Sequence, residues 1–394
     1  MKILHCCLAS FYIDGWSYQE NILPRYHLAM GYEVQIVAST ETYKENATLG
    51  YVRPSSYFSD DGIKITRLPY VRYLPQKIAR KLRLYVGLKR VLEDFDPDIL
   101  FIHDSQFLSA PTVVRFAKRR NRAVYVDTHT DFVNSARGFI SRHILHGIFY
   151  RWSTQKLAEV ARCFWATLPL RAEFLKTVYD IPSDKIRLLP FGADDARISG
   201  KNIDLVRREV RLRLKIGESD LVFVSGGKID RRKDIHTLMR AFCYLVEEGK
   251  LSNAHLVIFG SPTPDMIEPL REFEGKKGIH WMGWTPANEI YQYLWAADLG
   301  FFPGTHSVLW EEAVGLGIPC VFKRWCGIDH LDVGGNCILL DEGTTDQIAK
   351  ILLRAANEPA WLEDVRDRAR ALGPMHFSYS AIARMSIGLS PADD

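Results

Sequence analysis

LGFFPGTHSVLWEEAVGLGIPCV, residues 299–321, decides how this chain folds. The apolar run Leu299–Phe302 stops at Pro303-Gly304. A helical pattern opens near Ser307, carries the adjacent acids Glu311 and Glu312, and stops at Gly317. Pro319 then leads into another apolar run. This reads as a strand–loop–helix–strand unit of a parallel sheet. A carboxylate about one turn inside such a helix can accept two hydroxyl hydrogen bonds from a ribose, while the helix N-terminus faces phosphate. A surface glutamate on an ordinary crossover helix shows the same pattern, so this stretch alone leaves both readings open.

A second segment shifts the balance. Residues 221–234 read LVFVSGGKIDRRKD and run into the helical IHTLMRAFCYLVEE. The strand ends on Gly226-Gly227, and Lys228 and Lys233 stand in the loop before the helix. Glycines let a backbone approach a ligand closely, and lysines supply compact charges for a diphosphate. A basic turn by itself is usually solvated surface. This one precedes the Glu312 unit in the same half of the chain.

Apolar runs alternate with helical patterns throughout. In the first half they cover residues 3–8, 34–37, 63–68, 99–102, 123–126 and 163–166. In the second they cover 221–225, 256–259, 279–282, 299–302, 320–322 and 338–340. Each half therefore reads as a doubly wound α/β domain, which binds ligands beyond the carboxyl ends of its strands. A length of 394 residues suits two such domains, which would face one another across a cleft. The expected division is 1–190, joined by a C-terminal helical segment at 376–394, and 191–375. A net charge of +4 is too small to indicate nucleic acid, and no nucleic-acid motif is present. The seven cysteines lack metal-site spacing and read as reduced core thiols. No run reaches transmembrane length and the chain opens directly on a strand, so a cytoplasmic protein is expected.

At the two quoted segments the chain resembles the family 4 retaining glycosyltransferases of two-domain GT-B fold. Their loop G-R-x-x-x-x-K-G is similar to Gly227, Lys228, Lys233 and Asp234, with Lys for Arg and Asp for the last Gly. Their helix L-E-A-M-A-x-G-x-P-V is similar to residues 311–320, with Glu312 as its acid. PDILFIHD at 97–104, LPFGADD at 189–195, HWMGWTPANEIYQYLWAADLGFFP at 280–303 and GGNCILL at 334–340 extend the resemblance over essentially the whole chain. One position departs. The family pairs two glutamates in E-x7-E, and 312 − 8 = 304 is Gly304. The resemblance implies that the first glutamate lies near the donor sugar, so His306 or the backbone amides of Thr305 and Ser307 are its candidate replacements.

The resemblance further implies that Gly15, in the loop after the first strand, adjoins the donor diphosphate and the acceptor; Trp16 stands where a second glycine is usual. Gln19 lies in the helix turn that follows. His129, in VDTHTDFVN at 126–134, is similar to the histidine placed near the transferred sugar, orienting a hydroxyl, although a lone histidine after a strand is often structural. Asp127, Asp131 and Asn134 make its surroundings polar. His103-Asp104 occupies a similar strand end with a weaker signal. Trp284 is a candidate to stack on the nucleobase; a core tryptophan is the other reading.

The implied activity is transfer of a hexose or deoxyhexose from a nucleoside-diphosphate sugar to a saccharide or lipid-linked saccharide, in bacterial surface-polysaccharide biosynthesis. Lys228 and Lys233 would neutralise the diphosphate and Glu312 would hold the ribose. Neither a metal nor a cofactor is expected. A nucleotide-sugar 2-epimerase and a catalytically silent glycan-assembly protein remain alternatives. Two basic, acid-free runs, 77–90 and 137–151, read either as amphipathic helices lying on the inner face of a membrane or as core-facing helices with solvated charges.

Overall fold

The computed structural model describes residues 1–43, 48–132, 135–136, 138–325 and 328–390. It divides into two compact units, Met1–Pro190 with Tyr379–Asp394, and Phe191–Ser378. The return to the first unit starts at Tyr379 rather than at residue 376. The Ala193 N–H donates to the Phe377 carbonyl at 2.7 Å, and the Phe377 ring is buried in the second unit's core.

The first unit carries an eight-stranded sheet in the order Ile186–Leu188, Ala161–Ala166, Ala123–Thr128, Ile99–His103, Lys2–Cys7, Glu33–Ala38, Lys64–Arg67, Ser55–Phe58. Every pairing is parallel except the last, which is antiparallel. The central strands are buried along almost their whole length, as parallel strands covered on both faces must be. The strand order reverses between Lys2–Cys7 and Ile99–His103, the kind of point at which doubly wound sheets bind their ligands. The helix Tyr379–Ser386 packs Ile382 and Ala383 against Ile22 and Phe101.

The second unit carries six parallel strands: Ile279–Gly283, Ala254–Phe259, Leu221–Gly226, Leu299–Phe302, Cys320–Lys323, Cys337–Leu340. Its reversal falls between Leu221–Gly226 and Leu299–Phe302, the two strands that feed the quoted loops.

Several expectations need correcting. The helix after residue 307 is only seven residues long, Leu309–Gly315, and has no side-chain cap. The run 77–90 is not one helix. Arg83 turns left-handed (φ 53°) and its guanidinium donates to the Gln106 carbonyl, which splits the run into Gln76–Leu82 and Leu88–Phe95. Leu88 is buried, but Ile78 and Val86 are exposed. Six cysteines are buried thiols without disulfide partners, and Cys326 lies outside the described residues, as does Asn134. Among the described residues, no helix is long and apolar enough to cross a membrane.

Candidate active site

In the second unit the strand Leu221–Gly226 ends where the chain crosses its neighbour. A Cβ on Gly226 would meet the Phe259 ring at 2.4 Å, and one on Gly260 would meet the Gly227 carbonyl oxygen at 1.8 Å. Gly227 itself turns at φ 105°. The Asp230 carboxylate accepts the N–H groups of Arg232 and Lys233 and so caps a short helical turn. Lys228 is exposed. Lys233 is turned inward instead: its ammonium donates to the carbonyls of Thr305 (2.7 Å) and His306 (2.8 Å). Desolvation outweighs the nearby Asp230 carboxylate and lowers its pKa to about 8. The space enclosed by Lys233, Gly304, Thr305, Ser307 and Trp310 is about 10 Å³, no more than a water needs.

The missing glutamate has a steric explanation. A Cβ on Gly304 would lie 2.2 Å from the Lys233 carbonyl carbon and 2.3 Å from the Arg232 carbonyl oxygen. The Thr305 N–H donates to that Arg232 oxygen, and the Trp325 indole donates to the Gly304 carbonyl. The two loops touch backbone to backbone, and only glycine fits between them.

The two adjacent acids do different things. Glu311, which the sequence reading passed over, is wholly buried. It accepts from His306 Nε2 at 2.7 Å and His330 Nε2 at 3.1 Å. Burial alone would raise its pKa, but His306 and His330 hold it down at about 2. His306 is therefore engaged in this tie and does not face outward in place of the missing glutamate. Glu312 is part-exposed. Desolvation, with Glu311 and Asp194 adding repulsion against the pull of Arg197, raises its carboxyl to about 7. The doubled acid was the visible signal for a divided role; which acid is buried was not visible. Ser307 is half-buried, and its carbonyl accepts the Trp310 N–H. Trp284 is 74% exposed after Gly283 (φ 66°).

In the first unit Gly15 is left-handed (φ 74°) with open space where a Cβ would stand. Trp16 stacks on Tyr43 at 5.5 Å and meets Tyr18 edge-on at 4.9 Å, an aromatic surface that sequence reasoning missed. Gln19 is buried at the start of the next helix. His129 Nε2 lies 3.3 Å from the Asp127 carboxylate and 4.0 Å from that of Glu20, with its side chain 19% exposed. Burial pulls its pKa down, but Asp127 and Glu20 outweigh this and raise it to about 9. His129 is thus a cation at neutral pH, able to donate hydrogen bonds but without a lone pair for base chemistry. Asp131 pairs with Arg171 at 3.2 Å. Asp104 accepts from Ser105, Gln106 and Thr130, and burial raises its pKa.

Glu20, His103 and His129 converge closely enough to suggest a chelate, the one such group among the described residues. Both His103 nitrogens are already engaged, by His5 at 3.0 Å and Asp127 at 2.9 Å, so the trio is a poor fit to a metal ion.

Residues 18–192 match the model of the glycosyl transferase 4-like domain, and residues 206–372 that of the glycosyl transferases group 1. The chain is a family 4-like glycosyltransferase. Its fold is that of GT-B structures, and this glycosyltransferase is similar throughout its length to several of them. Sucrose-phosphate synthase from Thermosynechococcus elongatus superposes with TM-score 0.63 at 17% identity, over 97% of this chain and 96% of that one. HepE of Anabaena, in complex with UDP, gives 0.66 at 13%, over 98% of both chains. The UDP-GlcNAc 2-epimerase of Neisseria meningitidis, bound to UDP-GlcNAc, gives 0.61 at 13%, also over 98% of both. No curated protein sequence matches the chain closely enough to stand as a relative.

Proposed function

We propose that this glycosyltransferase transfers a hexose or deoxyhexose, with retention, from a nucleoside diphosphate to a hydroxyl of a glycan or lipid-linked glycan in surface-polysaccharide assembly. The observation that carries this reading is the second unit's loop pair, where Lys233 meets the backbone of 304–306 a few residues before Glu312. The UDP held by HepE supports a nucleotide-sugar donor. In this reading Lys228 and Lys233 take up the negative charge that grows on the departing diphosphate, Lys233 exchanging its carbonyl partners for phosphate oxygens. Glu312 accepts the ribose hydroxyls, Trp284 covers the base, and the amide of Ser307 lies along the sugar, that of Thr305 being tied to the Arg232 carbonyl. The bond from the anomeric carbon to phosphate oxygen breaks while the bond to the acceptor oxygen forms on the same face. The acceptor's proton passes to the leaving phosphate, so no protein base is needed. His129, as a cation, donates to a sugar hydroxyl and orients it, and Gly15 leaves room for the backbone to approach. No step is assigned to a metal.

A membrane-side acceptor is supported by the eleven-residue helix Ile140–Tyr150, whose wide turn is of the π type. Phe139, Ile140, Ile144 and Ile148 are exposed there, Phe139 by 76%, beside Arg142 and His143. Such a face suits the interface of an anionic bilayer.

The test is a thermal-shift panel of UDP, GDP, ADP, TDP and CMP on wild type and Glu312→Ala, with and without Mg²⁺. One nucleoside diphosphate should stabilise wild type alone, with or without the metal. No shift with any of them overturns the donor site. If the donor sugar epimerises by NMR without an acceptor, the epimerase reading replaces this one; nucleotide binding without turnover on varied acceptors would support the silent assembly protein.

A further inference from the structure

Three imidazoles stand in file through the core of the first unit, none of them exposed. His27 comes from the helix Gln19–Ala29, His5 from the central strand, and His103 from the end of the neighbouring strand. His27 Nδ1 lies 3.0 Å from His5 Nε2, and His5 Nδ1 lies 3.0 Å from His103 Nε2. At one end His103 Nδ1 is 2.9 Å from the Asp127 carboxylate. At the other, His27 Nε2 is 3.0 Å from the Ala383 carbonyl. The chain thus links the C-terminal helix to Asp127, which also touches His129.

The protons in this file can be counted. A carboxylate and a carbonyl only accept, so each terminal bond takes its proton from a ring nitrogen. Each nitrogen–nitrogen junction takes one more. Four bonds then need four protons, and three neutral imidazoles carry only three. The Ser386 hydroxyl, 2.8 Å from the Ala383 carbonyl and 3.1 Å from His27 Nε2, would supply the fourth only by turning away from the carbonyl. A bare His27 Nε2 would set its lone pair against that same oxygen.

We propose that His27, His5 and His103 together hold one surplus proton, seated on His103 against the Asp127 carboxylate, and that this charge pair positions His129 and sets its charge. The hydrogen bonds then run in one direction: His103 donates to both Asp127 and His5, His5 to His27, and His27 to Ala383. Burial keeps His5 well below its ordinary range and His27 at about 4, so both are neutral. Asp127 is pushed up by burial but held far below the carboxylate range by His103 and His129. Its second oxygen accepts the Asp104 N–H at 3.1 Å. Around His129 stand Glu20, which accepts from Ser10, and the Asp131–Arg171 pair. Two imidazolium ions then face two carboxylates, Asp127 and Glu20. His5, His27 and His103 are positioning residues: none has to touch a substrate.

The test is histidine-selective nitrogen NMR of the full chain without ligand, followed across pH. Wild type should show two strongly deshielded protons shared between rings, one buried imidazolium, and a His129 midpoint near 9. His5→Phe should remove the shared signals, leave His103 neutral and raise the His129 midpoint by about one unit. His5→Gln can accept from His103 and donate to His27, and should restore the wild-type midpoint. Three neutral buried rings in wild type, or an unmoved His129 midpoint in a folded His5→Phe, would overturn the proposal. If His5→Phe does not fold, the wild-type spectrum decides alone. The proton count is independent of sugar transfer, so its failure and that of the proposed activity are distinguishable.

Discussion

Each unit of this glycosyltransferase holds a fully buried acid between two histidines, yet the two clusters serve different ends. Glu311 stands on a short helix and ties the 304–306 loop to His330. Asp127 ends a central strand, with His103 on its core side and part-exposed His129 on the other. The first arrangement is closed: its histidines face the acid and packed aromatic rings, His306 meeting Trp310 edge-on at 5.3 Å. The second is open at one end and continued at the other by the imidazole file. The same charge motif therefore acts as a staple in one unit and, in our reading, as a tuned donor in the other. What surrounds it, not its composition, makes the difference.

Four substitutions can break or sharpen this contrast. Glu311→Ala leaves the part-buried His306 and His330 without their acid and should cost about 3–5 kcal/mol in urea unfolding. A loss below about 1 kcal/mol would mean that Glu311 is no staple. Gly304→Glu, which recreates the family's acid pair, drives a side chain into the Lys233 backbone and should cost roughly 2–3 kcal/mol without tightening nucleotide binding. Better binding would show that the two loops can separate. Asp127→Asn should drop the His129 midpoint below its ordinary 6.5. In wild type the His129 contribution is full below 6.5 and lost as pH rises through 9. The variant should lack that fall, worth about 3 kcal/mol, in thermal melts across this range. A similar fall in both proteins would detach Asp127 from His129.

The smallest expected effect belongs to Glu312→Gln. Because the folded-state carboxyl is raised from 4.5 to about 7, the native state holds its proton longer than the unfolded chain does. Its burial therefore costs nothing below 4.5, costs progressively more as pH rises toward 7, and levels off above. Because Glu312 is part-exposed, solvent screening trims this cost, and the variant should gain about 1 kcal/mol above neutrality and nothing in acid. An equal gain at both ends would point to packing rather than charge.

Local sequence determined a good deal. All twelve apolar runs became strands; the central ones are buried on both faces, which needs continuous apolar side chains. The Gly-Gly turn and its lysines were legible because a strand, a close approach and a helix start leave adjacent marks. The hairpin of Glu41–Tyr43 and Leu49–Tyr51 and the edge strand Ser55–Phe58 left too few apolar residues to be seen. The bend at Arg83 was hidden because its partner, the Gln106 carbonyl, lies far along the chain. Gly304 could be read as a departure from a motif, but the reason for it is a backbone of another loop. His5, His27 and His103 were three lone histidines in apolar or helical text, and nothing local joins them. They meet because the strand order places Ile99–His103 beside Lys2–Cys7 and the first helix over both. Periodicity fixes which face of an element is apolar; only the pairing of distant elements decides which polar groups are shut in together and how many protons they must share.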